Sequence, residues 1–424
     1  MSNNAEIAAL ASHVLVSNYR QAPIALVRGQ GAEVWDADGR RYLDLYAGIA
    51  VSTLGHAHPQ LVRAIADQAA AILHTTNLVY NEPSVRLAER LVSYTRPSPE
   101  AAPLLSRAFF CNSGTEAIEA CVKLSRRRAF LAGENKRTRF LAFHNAFHGR
   151  SMGALALTGT PKYWEGFGAD VERATHVAYG DLDAVQVALD TKPGEYCAIV
   201  VEPVQGEGGV FPAPPGFLRE LRSLADAHGA LLIVDEVQTG IGRTGRWYGY
   251  QQHEGVVPDA IALAKGLGGG VPVGAMLVRE QLNGVLTPGS HGSTFGGNPL
   301  ATSAALAVLE VMEHEKLVQR ASAMGEHLAA RLRDVAARHP DIFEGERGLG
   351  LLRGMLMRPG VEARTMLVAA RAKGVLLSVA SERVLRFTPP LNIPVELLDE
   401  AIEAIDAAAA SLTAPVSEST LPSR

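Results

Sequence analysis

Asp259-Ala-Ile-Ala-Leu-Ala-Lys-Gly-Leu-Gly-Gly-Gly-Val-Pro-Val-Gly274 runs from an apolar segment into a single lysine and then into glycine. Ala260 to Ala264 reads as a buried strand, and Lys265 stands at its end. The chain has seven lysines against 33 arginines, so surface charge does not explain a lysine here. A lysine held out of water has a lowered pKa and can form a Schiff base with a carbonyl. Gly266, Gly268, Gly269 and Gly270 would let a flat ligand approach the backbone. The other reading is an ordinary strand-end lysine before a flexible loop, and this stretch alone does not separate the two.

Similar apolar runs lie on the N-terminal side. Arg107-Ala-Phe-Phe-Cys111 precedes a helix from about Thr115 to Phe130, and Arg139-Phe-Leu-Ala-Phe143 is another run. Ala198-Ile-Val-Val201 leads into Glu202. A helix over 216–228 leads to Leu231-Leu-Ile-Val234, which ends in Asp235. Short continuous apolar runs separated by helices predict an α/β fold with a buried, mostly parallel sheet covered by helices on both faces. Ligands bind such sheets beyond the carboxyl ends of the strands. Asn112-Ser-Gly-Thr115, Glu202, Asp235 and Lys265 all fall at such ends.

Toward the termini the pattern changes. Residues 1 to about 20 read as a helix. Leu26-Val-Arg-Gly, Glu33-Val-Trp-Asp36 and Arg41-Tyr-Leu-Asp-Leu-Tyr46 read as a small sheet, with Asp36-Ala-Asp-Gly39 as a hairpin turn. A helix follows His56-Ala-His58-Pro59 and runs from Gln60 to Leu73. A long Ala-rich helix begins near Ala301 and runs to about His314. Beyond it, amphipathic helices alternate with short strands such as Leu351–Met357 and Val384–Phe387. The expected organisation is an N-terminal segment, 1–58, joining a small domain, a large ligand-binding domain, 59–308, a small α+β domain, 309–412, and a disordered tail, 413–424.

Composition sets limits. The 424 residues are 47% hydrophobic and 20% charged, with formal net charge -4, which excludes the basic footprint of a nucleic-acid binder and gives no basic face for a membrane. Cys111, Cys121 and Cys197 form no CxxC pair and suit a reducing compartment. The N-terminus lacks a signal-peptide pattern and no apolar run reaches a membrane span, so a soluble cytoplasmic protein is expected.

Each candidate constellation has a plainer alternative. Asn112-Ser-Gly-Thr115 enters a helix N-terminus, where backbone N–H groups and hydroxyls attract an anion, or it is a simple N-cap. Asp235-Glu-Val-Gln238 carries a buried carboxylate that needs a cation such as a protonated pyridine, or it is a capping aspartate. In Phe147-His-Gly-Arg150 the phenyl ring can stack on a flat ligand and the guanidinium can clamp a carboxylate, or they are a core ring and a solvated cation. Glu202-Pro-Val-Gln-Gly-Glu207 holds two carboxylates in a turn, Gly292-Ser-Thr-Phe-Gly-Gly-Asn-Pro299 exposes hydroxyls, and Arg386 lies in a short strand; each alone is more often a turn or a solvated face. His144 and His148 are spaced i, i+4 but lack the glutamate of a zinc helix, so no metal is expected. Gly149-Arg-Ser-Met-Gly153 matches the G-x-S-x-G elbow of α/β-hydrolases around Ser151, but the preceding strand ends near Phe143.

In this order and spacing the segments resemble the class III (ω-amino acid) aminotransferases of the pyridoxal phosphate (PLP) fold-type I superfamily, over about residues 10 to 412. The resemblance implies a mixed, mostly parallel seven-stranded sheet in the large domain and a small α+β domain built from both termini. It implies PLP as cofactor. Lys265 would bind it covalently and Asp235 would pair with its ring nitrogen. Gln238 would reach the ring hydroxyl, and Phe147 and Val237 would contact the ring. Gly114 and Thr115 would hold the phosphate with Ser113 nearby, and Thr294 would complete the phosphate site of a neighbouring subunit, making a homodimer. Arg150 and Ser293 would bind the distal part of the substrate. Arg386 would bind an α-carboxylate, and Glu207 would neutralise Arg386 when none is present. Asn77-Leu-Val-Tyr-Asn-Glu-Pro83 and Val384-Leu-Arg-Phe-Thr-Pro-Pro-Leu391 are similar to the acetylornithine aminotransferase subgroup, and Ile49 replaces the tyrosine of enzymes that act on free ornithine. That likeness implies ping-pong transamination of N2-acetyl-L-ornithine with 2-oxoglutarate in arginine biosynthesis, giving N-acetylglutamate 5-semialdehyde and glutamate. Succinylornithine, succinyl-diaminopimelate and 4-aminobutyrate remain as rival donors.

Overall fold

The computed structural model describes residues 2–168 and 170–413. The part of the expected tail beyond Thr413 lies outside the described residues. At the centre is a seven-stranded sheet made of β1 (Arg107–Cys111), β2 (Arg139–Phe143), β3 (Ala174–Val177), β4 (Tyr196–Val201), β5 (Leu231–Asp235), β6 (Ala260–Leu263) and β7 (Gly274–Val278). Its spatial order is β1-β7-β6-β5-β4-β2-β3. All pairings are parallel except the two made by β7, which runs antiparallel between β6 and β1.

The central strands are wholly buried along β4, β5, β6 and β7, as their unbroken apolar runs require in a sheet covered on both sides. The edge strand β3, Ala-Thr-His-Val, is only partly buried.

The covering helices begin where the sequence supplies caps. Ser113 accepts from the Glu116 N–H at 3.3 Å and starts Gly114–Leu131. Asn298 accepts from Ala301 N at 2.9 Å, with Pro299 at the first helical position, and starts Pro299–His314. That helix packs against Pro59–Ala71 and Glu82–Ser93.

Both ends of the chain build the smaller sheets. Leu26–Gln30, Glu33–Asp36 and Arg41–Asp44 form one sheet, which Val375–Leu376 joins in parallel beside Leu43 and Asp44. A second sheet holds Phe343–Leu349, Leu352–Met357, Val384–Phe387 and Ser378–Ala380. The α/β class, the mixed seven-stranded sheet and the smaller unit drawn from both termini agree with the sequence reading. Among the described residues no helix is long and apolar enough to cross a membrane.

Candidate active site

β6 delivers Lys265 at its carboxyl end. The lysine itself has φ +43°, a left-handed conformation that costs a non-glycine residue about 1–2 kcal/mol. It lines a buried cavity together with Gly114, Thr115, Phe147, His148, Gly149, Glu202, Glu207, Asp235, Val237 and Gln238. Burial lowers the pKa of the Lys265 amine and Arg386 lowers it further, while Glu207, Asp235 and Glu202 pull the other way; the net shift is downward.

The glycines after Lys265 do not line this cavity. A Cβ on Gly266 would lie 2.5 Å from Thr53 Oγ1, and one on Gly269 would lie 2.8 Å from side chains of Leu61 and Val308. Gly266, Gly268 and Gly269 admit protein neighbours rather than a flat ligand, and Gly270 faces open space, which corrects the sequence expectation. The Thr53 hydroxyl also donates to the Gly266 carbonyl at 2.9 Å. Thr53 closely follows a left-handed segment, Ala47 to Ala50, in which Ile49 has φ +66°. Such a conformation is an outlier for a β-branched residue.

At the end of β5, Asp235 is 4% exposed. Its Oδ1 accepts from Val237 N at 2.9 Å, and its Oδ2 lies 2.8 Å from His148 Nδ1. Glu202, at the end of β4, accepts from Phe147 N at 3.1 Å and Gly206 N at 3.3 Å. Burial pushes its carboxyl up to about 7, and nearby Asp235 adds to this against the pull of His148.

At the far wall Glu207 forms an ion pair with Arg386, which is fully buried in the second small sheet. Arg386 also donates to Gln238 Oε1 at 3.1 Å and Ser378 Oγ at 3.1 Å. Burial raises the Glu207 pKa, but Arg386 and Lys265 outweigh it and hold the carboxyl below its usual range. Gln238 donates to Glu207 at 3.4 Å, so its amide belongs to this cluster.

Gly114 and Thr115 open the helix after β1, and their N–H groups find no acceptor among the described residues. A Cβ on Gly114 would lie 2.7 Å from Val237 Cγ1, so only glycine lets this turn close onto the wall opposite. The Ser113 side chain turns to its capping role instead of facing the cavity. Arg150 stacks over Tyr163 at 4.0 Å and Phe147 at 5.3 Å, and carries no ion pair among the described residues. From Phe147 and Glu207 a cleft of about 490 Å³ continues outward past Tyr163, Lys162 and Arg347.

Ser293 lies close by, with its hydroxyl accepting from Asn112 Nδ2 at 3.2 Å and Gly296 N at 2.9 Å. Thr294 is exposed and does not line the cavity of its own chain. Ser151 bonds to the Thr115 hydroxyl at 2.7 Å, with no imidazole partner. A six-residue helix does follow it directly, but β2 ends well before it, at Phe143. A nucleophile elbow needs a strand there and a nearby base, so Ser151 is no such nucleophile.

The site thus gathers Gly114, Thr115, Phe147, Glu207, Asp235, Val237, Gln238 and Lys265, with Arg386 behind Glu207. Sequence reasoning missed the place of His148, because the only pattern it belongs to is a metal spacing. It put Glu202 at a strand end but did not count it among the site residues.

The sequence profile described as Aminotransferase class-III matches residues 15–409. An acetylornithine aminotransferase of Myxococcus xanthus is 46% identical over 91% of this chain and 93% of its own length. Another, from Methanopyrus kandleri, is 46% identical over 93% and 97%. Among solved structures, the ornithine aminotransferase of Toxoplasma gondii superimposes with TM-score 0.90 at 32% identity, covering 97% of this chain and 96% of that one. The N-acetylornithine aminotransferase of Stenotrophomonas maltophilia gives 0.81 at 35%, covering 95% and 98%. A buried lysine at a strand end, a buried aspartate beneath it and a match along nearly the whole chain lead to one conclusion: this protein belongs to the class-III aminotransferases, PLP-dependent enzymes of fold type I.

Proposed function

We propose that this aminotransferase binds PLP in the cavity around Lys265 and transfers the terminal amine of N2-acetyl-L-ornithine to 2-oxoglutarate. The products are N-acetylglutamate 5-semialdehyde and glutamate. The residues fit the cofactor. The free N–H groups of Gly114 and Thr115 at a helix N-terminus suit its phosphate. The buried carboxyl group of Asp235 suits a protonated ring nitrogen. Phe147 and Val237 offer apolar surface within the same cavity. When bound, PLP supplies an electron-withdrawing ring that stabilises the negative charge left on a deprotonated carbon.

The chain's own groups do the rest. Lys265 Nζ, its pKa lowered by burial, is the base that takes a proton from the amine-bearing carbon and later returns it as an acid. Asp235 is the partner for the protonated ring nitrogen. Arg150, stacked over Phe147, holds the distal carboxylate of either substrate, and Ser293, bonded to Asn112, assists in binding the distal part.

The observation that carries this reading is the Glu207–Arg386 pair. An enzyme that exchanges an ω-amine with an α-keto acid meets an α-carboxylate at the reacting carbon in only one half of its cycle. Arg386 is placed to bind that carboxylate, and Glu207 to neutralise Arg386 in the other half. Ile49 stands where the resembling enzymes that act on free ornithine carry a tyrosine, which supports an N-acylated donor. The names carried by the relatives support acetylornithine among such donors.

A homodimer belongs to the proposal. Leu78 is 91% and Tyr80 98% exposed, and Asn77 joins their loop to that of Thr294 through the carbonyls of Ser293 and Gly296, each at 3.0 Å. That surface suits a partner whose phosphate site Thr294 completes. Three buried free cysteines suit a cytoplasmic location.

The test is a donor panel with 2-oxoglutarate: acetylornithine, succinylornithine, succinyl-diaminopimelate, 4-aminobutyrate and ornithine. Acetylornithine should give the highest kcat/KM, with ornithine and 4-aminobutyrate at least about tenfold lower. A preference for any of the other four would overturn the donor assignment.

A further inference from the structure

Arg243 is a buried cation without a counter-ion. It is 2% exposed and forms no ion pair with any described residue. Burial alone pulls its pKa down, to about 9, so the guanidinium remains charged at neutral pH. Its Nη2 has no hydrogen-bond partner. Its Nη1 donates to two carbonyls, that of Leu351 at 3.0 Å and that of Pro389 at 2.6 Å. A neutral amide could serve those carbonyls without burying a charge, so carbonyl pairing alone does not explain an arginine here. Both carbonyls stand at one end of the strand pair that carries Arg386. Leu352–Met357 runs antiparallel to Val384–Phe387, with Gly354 facing Arg386 and Arg353 facing Phe387. The ladder stops there. Gly350 and Leu351 turn into strand Phe343–Leu349, and Pro389 has no N–H with which to extend the pairing. Arg243 takes over at this open end. Its backbone is tied there too, its carbonyl accepting from Leu351 N at 3.0 Å. A Cβ on Gly350, at φ +53°, would lie 2.5 Å from the Thr244 carbonyl carbon, so only glycine allows this approach.

We propose that Arg243 is a positioning residue for the acceptor substrate: it fixes where the Arg386 strand stands relative to Asp235 and Gln238, and so sets the reach of the Arg386 guanidinium to the α-carboxylate of 2-oxoglutarate. The inference rests on the reading that Arg386 binds that carboxylate. The segment that begins at Asp235 carries Gln238, whose Oε1 accepts from Arg386 at 3.1 Å, and then Arg243, which holds the backbone just beyond Arg386. One stretch of chain therefore grips both the guanidinium and its strand. The other holds on this backbone come from the N-terminal segment. Thr388 N donates to Leu45 O at 2.8 Å, Thr388 Oγ1 to Tyr46 O at 2.9 Å, and Leu391 N to Thr53 O at 2.8 Å. Of these backbone holds, that of Arg243 alone comes from the Asp235 segment. Its loss would free the strand end, and a shift of about 1 Å in a substrate clamp can cost ~100-fold in rate.

The experiment compares wild type with Arg243→Met, which fills the space without a donor, and Arg243→Lys, which keeps a cationic donor. PLP-loaded protein is mixed rapidly with the best donor of the panel alone, and protein loaded with pyridoxamine phosphate is mixed with 2-oxoglutarate alone. Arg243→Met should lower the 2-oxoglutarate half about tenfold or more, chiefly through weaker binding, and change the donor half by less than about twofold. Arg243→Lys should recover most of the loss. A merely structural role would slow both halves alike. Should Arg243→Met fail to fold, Arg243→Gln, shorter and uncharged, makes the same comparison. Equal slowing of the two halves, no slowing of either, or no recovery in the lysine variant would overturn the proposal. Arg386→Lys tests the underlying reading. An unchanged 2-oxoglutarate half in that variant would overturn the reading, and the proposal with it. A selective loss in Arg386→Lys beside an unselective one in Arg243→Met would overturn the proposal alone.

Discussion

Replacing Glu207 with glutamine keeps its size and one acceptor oxygen but removes the charge facing Arg386. Arg386 is 1% exposed, and its other side-chain partners, Gln238 and Ser378, are neutral. A hydrogen bond to an ionised group is worth about 1.5–3 kcal/mol and a neutral one about 0.5–1.5 kcal/mol, so the change costs about 1–1.5 kcal/mol. Glu207 is partly open to solvent, at 24% exposure of its side chain, which argues for the lower end. The cost falls on the half-reaction in which no carboxylate reaches Arg386. With 2-oxoglutarate bound, the substrate replaces Glu207 and the loss disappears. The donor half should slow about five- to tenfold and the acceptor half by less than about twofold. Rapid mixing of loaded enzyme with each substrate alone separates the halves. Equal slowing of both, or greater slowing with 2-oxoglutarate, would refute the reasoning and leave Glu207 a fixed part of the wall.

Asp235→Asn should retain cofactor yet lose most turnover, because an amide cannot balance a protonated ring nitrogen; near-normal kcat would contradict that role. Ile49→Tyr should raise kcat/KM for ornithine relative to acetylornithine, and an unchanged ratio would place donor specificity elsewhere. The pH dependence of stability has a definite sign at Glu236, whose carboxyl burial pushes up to about 7 although Thr239, Tyr250 and Gly249 all donate to it. With a folded pKa above the unfolded one, the native state holds the extra proton between the two, so this group's contribution falls as pH rises from about 4.5 to 7. Urea midpoints of Glu236→Gln should therefore vary less over that range than those of wild type, and an identical slope would count against it.

Much of this was legible because buried parallel strands write themselves as unbroken apolar runs. Leu231–Asp235 and Ala260–Leu263 are such runs, and the residues just beyond them are the functional ones. The edge strand Ala174–Val177 was not legible, since a half-exposed strand containing threonine and histidine has no apolar signature. The glycines after Lys265 were misread because sequence does not tell whether a missing Cβ makes room for a ligand or for Thr53 and Leu61. His148 escaped for a topological reason. The turn through Asn145, at φ +65°, brings it beneath an aspartate 87 positions later in the chain. The left-handed segment at Ile49 was likewise not legible, since a β-branched residue at φ +66° runs against local propensity.

The central claim is that the amine of Lys265 is the reactive group that PLP engages. Borohydride reduction of the PLP-loaded protein, followed by proteolysis and mass mapping, tests it directly. The account predicts one pyridoxyl label, on Lys265, and none in Lys265→Ala. A label on any other of the seven lysines, or none in wild type, would contradict it.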